Sequence, residues 1–317
     1  MNDRIEIAFS IYDKDGTYSS KIAVVIMSIL VTINKNLKIR FHILHDDTLN
    51  EYNKEFLKKV VNEANQEIMF YYVELKKEDF IDLKDIELYS PGALFRLKLA
   101  ELVKVDKILY LDADIICNLN IKNLFDENID GYAVAAVLDR EVVNQDNISN
   151  NRLYKKTPID VINYFNSGVI LFNLNYIRKN YNMFCQAMTF LKKYPYVPFS
   201  DQAALNYLFQ DKCKFLNCKY NWGVNKGVNK ECIYHFSGEI DKPWIFKTSP
   251  LRILYWKYFF KTPWCRNLED FLREYDKSNI SVEEHILTGR IVSRKKFLKN
   301  FLLRLKKEIK KGFIIFE

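Results

Sequence analysis

The chain has 317 residues, 49% hydrophobic and 15% aromatic, enough to bury the core of one large domain or of a domain with an appendage. Six cysteines, Cys117, Cys185, Cys213, Cys218, Cys232 and Cys265, form no Cys-x-x-Cys pair, which leaves no zinc spacing and points to reduced thiols in a cytoplasmic setting. The formal charge of +8 lies entirely in residues 290–317, where ten Lys or Arg face two Glu, and the net-neutral body argues against a nucleic-acid face.

The charged opening with Asp3, Arg4 and Glu6 does not read as a cleavable leader. Residues 5–11 read as a first strand, followed by a polar loop over 12–17 and an apolar helix over 18–34. Its greasy run, residues 22–33, falls short of the roughly 20 residues a bilayer span needs, so a buried helix is expected and an integral membrane protein is not. A second strand over 37–45, an amphipathic helix over 49–65 and a third strand over 68–75 then alternate in the manner of a parallel, doubly wound sheet. No Gly-x-Gly-x-x-Gly follows the first strand, so a dinucleotide cradle is unsupported.

Ser90 and Pro91 predict a helix start, with Ser90 as N-cap, running to about Val103. Arg96 in its second turn reads equally as a solvated helix charge or as a guanidinium aimed at a phosphate. The stretch Lys107-Ile108-Leu109-Tyr110-Leu111-Asp112-Ala113-Asp114 is an apolar strand that runs into two aspartates. Strand side chains alternate faces, so Asp112 and Asp114 can point the same way at a carboxyl edge, where open α/β sheets bind ligands. Two such carboxylates suit a divalent cation that completes its shell with substrate phosphates. An Asp-rich turn is the bland alternative.

A strand over 132–138 ends in Asp139, and the polar stretch 140–157 has the length of a lid or binding loop. Asn166-Ser167-Gly168 precedes a strand over 169–174, followed by one helix over 175–193. Ser200 is the expected N-cap of a further helix, in which Asp201 favours the helix dipole or serves a site. Strands are expected over 215–220 and 233–236; His235 in the second reads as packed or as a ligand.

Several stretches together resemble glycosyltransferase family 8, which includes lipooligosaccharide galactosyltransferases and glycogenin. They are Ile7-Ala8-Phe9 with Asp15 and Tyr18, residues 39–44, Phe95-Arg96-Leu97-Lys98-Leu99, residues 108–114, residues 164–169, Asp201-Gln202, and His235-Phe236-Ser237-Gly238 with Lys242-Pro243-Trp244. The resemblance implies an α/β GT-A fold over residues 1–250 with a mainly parallel central sheet. A helical extension over 251–289 and the basic tail over 290–317 follow it. It implies Mn²⁺ on Asp112, Asp114 and His235, with Mg²⁺ as the alternative, gripping the diphosphate of a UDP-sugar. Ala8, Asp15 and Tyr18 would frame the uridine, Arg96 would reach the donor, and Ala113 would lie beside it between the two aspartates. Asn166, Asp139, Asp201 and Gln202 would line the transferred sugar, and Gly238 and Lys242 the phosphates. The family retains anomeric configuration, and Gln202 and Asp201 are the matching catalytic candidates. Because the loop after the first strand is about two residues longer than in the family, the Asp15 assignment could slip to Asp13.

In the tail, Phe297, Leu298, Phe301, Leu302, Leu305 and Ile309 form one helical stripe among lysines and arginines, the pattern of a helix lying on an anionic membrane surface. The expected protein is therefore a UDP-hexose-dependent, retaining transferase on the inner face of the cell membrane, with a glycan or lipid-linked glycan acceptor. The alternatives are a non-catalytic sugar-nucleotide- or glycan-binding protein, or an Asp-x-Asp phosphatase, which normally carries that motif on its first strand.

Overall fold

The computed structural model describes residues 4–34, 36–80, 83, 90–143, 152–224, 227–237, 242–244 and 250–265. Its centre is a seven-stranded sheet in the order β3-β2-β1-β4-β7-β6-β8. The strands are β1 (Arg4–Ile11), β2 (Lys38–His45), β3 (Glu67–Tyr72), β4 (Lys107–Leu111), β6 (Val134–Leu138), β7 (Phe165–Asn173) and β8 (Cys213–Phe215). β1, β2, β3 and β4 run parallel, as does the β6–β8 pair, whereas β7 lies antiparallel to both β4 and β6. A smaller sheet, β5 (Ile115–Cys117), β10 (Ile233–His235) and β9 (Trp222–Gly223), was not expected.

Apolar cores cover both faces of the large sheet, as parallel strands require. Ile5, Ile7, Phe9 and Ile11 of β1 enter one core together with Leu109 and Leu111 of β4. Ala8, Ile108 and Tyr110, one residue out of phase, enter the other. Helix α1 (Tyr18–Thr32) lies in the first core, where its apolar sequence is covered on most sides. The Pro250–Phe259 helix packs on it, and its Leu251, Tyr255, Trp256 and Phe259 are buried in the same core. Helix α2 (Glu51–Glu63) is amphipathic, and Asn50 caps it by accepting a hydrogen bond from the Asn53 N–H. Among the described residues no helix is long and apolar enough to cross a membrane. The basic tail over 290–317 and most of the 251–289 segment lie outside the described residues.

Local differences from the sequence reading have identifiable causes. The residues after Ser90 form a 3₁₀ segment, Pro91–Lys98, and only Leu99–Leu102 is α-helical. Ser90 has φ of 76° and makes no side-chain cap. Gly92 presses on the loop after β1, where an added Cβ would come within 2.7 Å of the Tyr12 Cβ. The expected helix over 175–193 is two helices, Leu174–Asn180 and Met183–Lys193, because Asn173 and Asn182 each cap a new start. Ser200 is not a cap either: Phe199 takes the left-handed conformation at φ 52°, and the Ser200 hydroxyl is buried without a hydrogen-bond partner among the described residues. The segment expected as a strand over 215–220 is the end of β8 followed by a 3₁₀ turn, Cys218–Asn221.

Candidate active site

The order β3-β2-β1-β4 ends at the carboxyl edge of β4, beside the point where parallel pairing gives way to the antiparallel β7. Residues that follow β4 are therefore delivered to a sheet edge of the kind that holds ligands. Asp112 is tied there by its N–H, which donates to the Gly168 carbonyl at 2.9 Å. The chain then enters β5 in the second sheet, where Ile115 pairs with His235 of β10 and the Phe236 N–H donates to the Asp114 carbonyl at 2.9 Å. The small sheet thus brings His235 to the aspartates across more than 100 residues of sequence. One donor atom from each of Asp112, Asp114 and His235 lies within 4.8 Å of the other two.

Gly168 makes this approach feasible. A Cβ there would meet the His235 Cε1 at 2.3 Å, so only a glycine leaves room for the ring. The donor set of two carboxylates and an imidazole suits a divalent transition metal, since such ions accept imidazole nitrogen alongside carboxylate oxygen. The chain's own cations already answer that negative charge. Lys242 contacts Asp114, and the His235 Nε2 lies 3.5 Å from the other Asp114 oxygen. Burial opposes ionisation of Asp114, but Lys242 and His235 outweigh it and hold its carboxyl far below the usual range. Burial also works against a charged His235, and Asp114 overcomes it to raise the imidazole pKa.

Arg96 is not a solvated helix charge. It is buried, stacked 4.2 Å from the Tyr110 ring, with Nη2 donating to Asp112 at 2.6 Å and Nη1 to the Ser167 carbonyl at 2.8 Å. Its Nε forms an ion pair with Asp201 at 3.1 Å, at an angle outside hydrogen-bond geometry. Burial pushes the Asp201 carboxyl up to about 6, with Arg96 pulling it down and Asp112 pushing it further up. One guanidinium therefore holds the strand carboxylate and the helix carboxylate together.

The neighbouring wall is made of amides. Gln202 accepts from the Ser167 N–H at 2.8 Å and donates to Asp139 at 3.3 Å, and Asn166 also donates to Asp139, at 3.2 Å. Asp139 ends β6 beside a register shift between Ala136 and Leu138, a bulge that re-aims the strand end. Asn206, fully buried, accepts from the Phe165 N–H and donates to the carbonyls of Phe165 and Gln202.

The uridine candidates are placed differently from one another. Ala8 lies inside the ladder, opposite His42 and Tyr110, with no exposed side-chain surface. Asp15 is exposed and accepts from the Thr17 N–H and hydroxyl. Asp13 is the buried one, accepting from the Tyr18 N–H, the Ser19 hydroxyl and the Asn53 amide. Burial, with the Asp112, Tyr110 and Asp114 groups, raises the Tyr18 pKa well above the ordinary value. Ala113 is buried between the aspartates. Gly238 lies outside the described residues. Asn221, Asn206 and Tyr110 were not singled out from the sequence; amides are mostly exposed residues, and only the fold shows which are buried.

Comparison with known proteins follows the same outline. A family model described as glycosyl transferase family 8 matches residues 10–248. The glycosyltransferase GlyB of Streptococcus pneumoniae is 28% identical over 272 residues, covering 78% of this chain and 60% of that one. The lipopolysaccharide 1,2-glucosyltransferase of Escherichia coli K12 is 25% identical over 309 residues, covering 88% and 86%. The chain spans about three fifths of the length of GlyB and of a further relative from Haemophilus influenzae. The galactosyltransferase LgtC, crystallised with donor and acceptor sugar analogues, has the same fold, at TM-score 0.71 and 24% identity over 82% of this chain and 96% of that one. An acidic pair at the end of β4 in a GT-A sheet, a match over residues 10–248 and relatives that share the layout lead to one assignment: the chain belongs to glycosyl transferase family 8.

Proposed function

We propose that this chain is a retaining glycosyltransferase that moves a hexose, glucose or galactose, from a UDP-sugar to a glycan or lipid-linked glycan, with Mn²⁺ as its metal and Mg²⁺ as the alternative. The observation that carries the reading is the convergence of Asp112, Asp114 and His235 within 4.8 Å, in a chain of this family. A divalent cation held by those three groups would supply the charge that stabilises a departing diphosphate. Lys242 contacts Asp114 and, once transferred to the donor, would place a second positive charge on the same phosphates. Tyr18 and the loop that Asp13 ties down border the place for the uridine.

Asp139, Asn166 and Gln202 present the polar wall on which a sugar's hydroxyls would be read. Asp201 is 9% exposed and paired to Arg96, a poor position for attack on a sugar carbon. That supports a front-face route in which the leaving phosphate takes the acceptor's proton, with Gln202 nearest the developing sugar cation. Both ends of the Gln202 amide are engaged, so the remaining lone pair of its oxygen is the group available for that role.

The names of the relatives, a lipopolysaccharide glucosyltransferase and a galactosyltransferase, support a hexose donor and a cell-surface glycan acceptor. The basic, amphipathic sequence of residues 290–317 supports a place on the inner face of the cell membrane.

Release of UDP from a panel of UDP-sugars, with Mn²⁺ present or chelated, tests the reading against Asp112→Ala. Metal-dependent release from one hexose donor is expected, reduced in the variant on the order of 10²–10³-fold, the scale for removing one group that stabilises developing charge. A folded protein that binds Mn²⁺ and releases nothing from any donor would instead be a sugar-nucleotide-binding protein.

A further inference from the structure

The imidazole of His235 has a second contact that the metal reading does not use. Its Nδ1 lies 2.8 Å from the Oδ1 of Asn221, a residue in the turn before β9 that is 8% exposed. The other end of that amide, Nδ2, donates to the Oδ1 of Asn166 at 2.8 Å. Asn166 in turn donates through its Nδ2 to Asp139 and accepts from the Gly168 N–H at 2.9 Å.

The direction of every hydrogen bond in this chain follows from two fixed ends. A backbone N–H can only donate and a carboxylate oxygen only accept, so Gly168 and Asp139 orient the Asn166 amide with its oxygen towards Asn221. Asn221 must answer with its NH₂ group, which turns its own oxygen towards His235. The Nδ1 of His235 must then carry the ring proton. In the neutral ring the lone pair then sits on Nε2, the nitrogen facing Asp114.

We propose that Asn221 is a positioning residue for the metal centre: it holds His235 in the Nδ1–H tautomer so that Nε2 is the ligand, and it links that ligand to the amide wall at Asn166. The proposal rests on the metal reading above. Metal-ligating histidines gain basicity and a fixed ring orientation when the other nitrogen donates to an oxygen, and loss of such a partner costs roughly 10–100-fold in metal affinity.

The test is Mn²⁺ affinity of the donor-free protein, read from the paramagnetic resonance signal of unbound Mn²⁺. Wild type is compared with His235→Ala, Asn221→Ala and Asn221→Asp, with thermal unfolding followed for each. Asn221→Ala should weaken Mn²⁺ binding by roughly 10–100-fold. Asn221→Asp keeps an acceptor for the Nδ1 proton but loses the donor to Asn166, so it should restore Mn²⁺ affinity to within a few-fold of wild type. Both variants should unfold at a lower temperature, because both break the contact to Asn166. A purely structural role would instead make affinity follow stability in both. Equal weakening in the two variants, or unchanged affinity in Asn221→Ala while His235→Ala loses binding, would overturn the proposal. Absence of Mn²⁺ binding by the wild type would overturn the metal reading itself.

Discussion

The charged corner at the end of β4 and the amide wall at the start of β7 meet at Ser167 and Gly168, yet they hold their shape by different means. In the charged corner, Arg96 spans Asp112 and Asp201, and Lys242 and His235 face Asp114. In the amide wall, Asn166, Gln202, Asn206 and Asn221 exchange hydrogen bonds with backbone and with one another. The first arrangement is a balance of charges that a bound cation would reset. The second is satisfied by the chain alone and is formed before any ligand binds.

That contrast can be broken most severely at Arg96. Arg96→Ala leaves Asp112 and Asp201 without their shared cation, and a stability loss of about 3–5 kcal/mol is expected in chemical denaturation. Arg96→Lys should recover little of it, because an ammonium cannot reach Asp112, Asp201 and the Ser167 carbonyl at once. A loss below about 1 kcal/mol for the alanine variant would mean that the two carboxylates do not depend on this guanidinium.

The part of the amide wall away from Asn221 should respond less and should leave the candidate metal centre alone. Asn206→Ala strips partners from the Phe165 N–H and from two carbonyls, with an expected loss of about 1–3 kcal/mol and Mn²⁺ affinity unchanged. A Mn²⁺ affinity that falls along with stability would extend the support of the metal centre from Asn221 to Asn206.

The mildest probe is pH, and its sign can be worked out. In the metal-free protein His235 holds its proton to a higher pH than the ordinary 6.5, with Asp114 outweighing the effect of burial. A protonated imidazole cannot ligate, so metal must displace that proton. Apparent Mn²⁺ affinity should therefore begin to fall already above pH 6.5 and lose about tenfold, or about 1.4 kcal/mol, per unit below the raised pKa. A flat affinity between pH 8 and pH 5 would remove His235 from the ligand set.

Much of this site was legible before the fold was known, and the legible parts share a physical cause. The apolar run of β4 ending in Asp112 and Asp114 is a local pattern, since strand periodicity and the change from apolar to acidic residues need no distant partner. The buried helix over 18–34 was likewise readable from its apolar length. Caps were read less well. Ser90 and Ser200 look like N-caps, but Ser90 and Phe199 take positive φ angles where the chain turns, which puts each serine outside capping geometry. The role of Arg96 could not be decided from its place in a helical turn, because its partners lie at residues 112, 167 and 201.

By itself the sequence determined the strand-and-helix alternation, the carboxylate pair, and the order of motifs that marks the family. These depend on side-chain periodicity and on residue chemistry within a few positions. Tertiary structure alone decided that β7 enters the sheet antiparallel, that a second sheet carries His235 to Asp114, and that Gly168 clears the space for its ring. It also decided which of the chain's many amides are buried against that ring. Such contacts join residues from 14 to more than 100 positions apart, and no local pattern records which segments will meet.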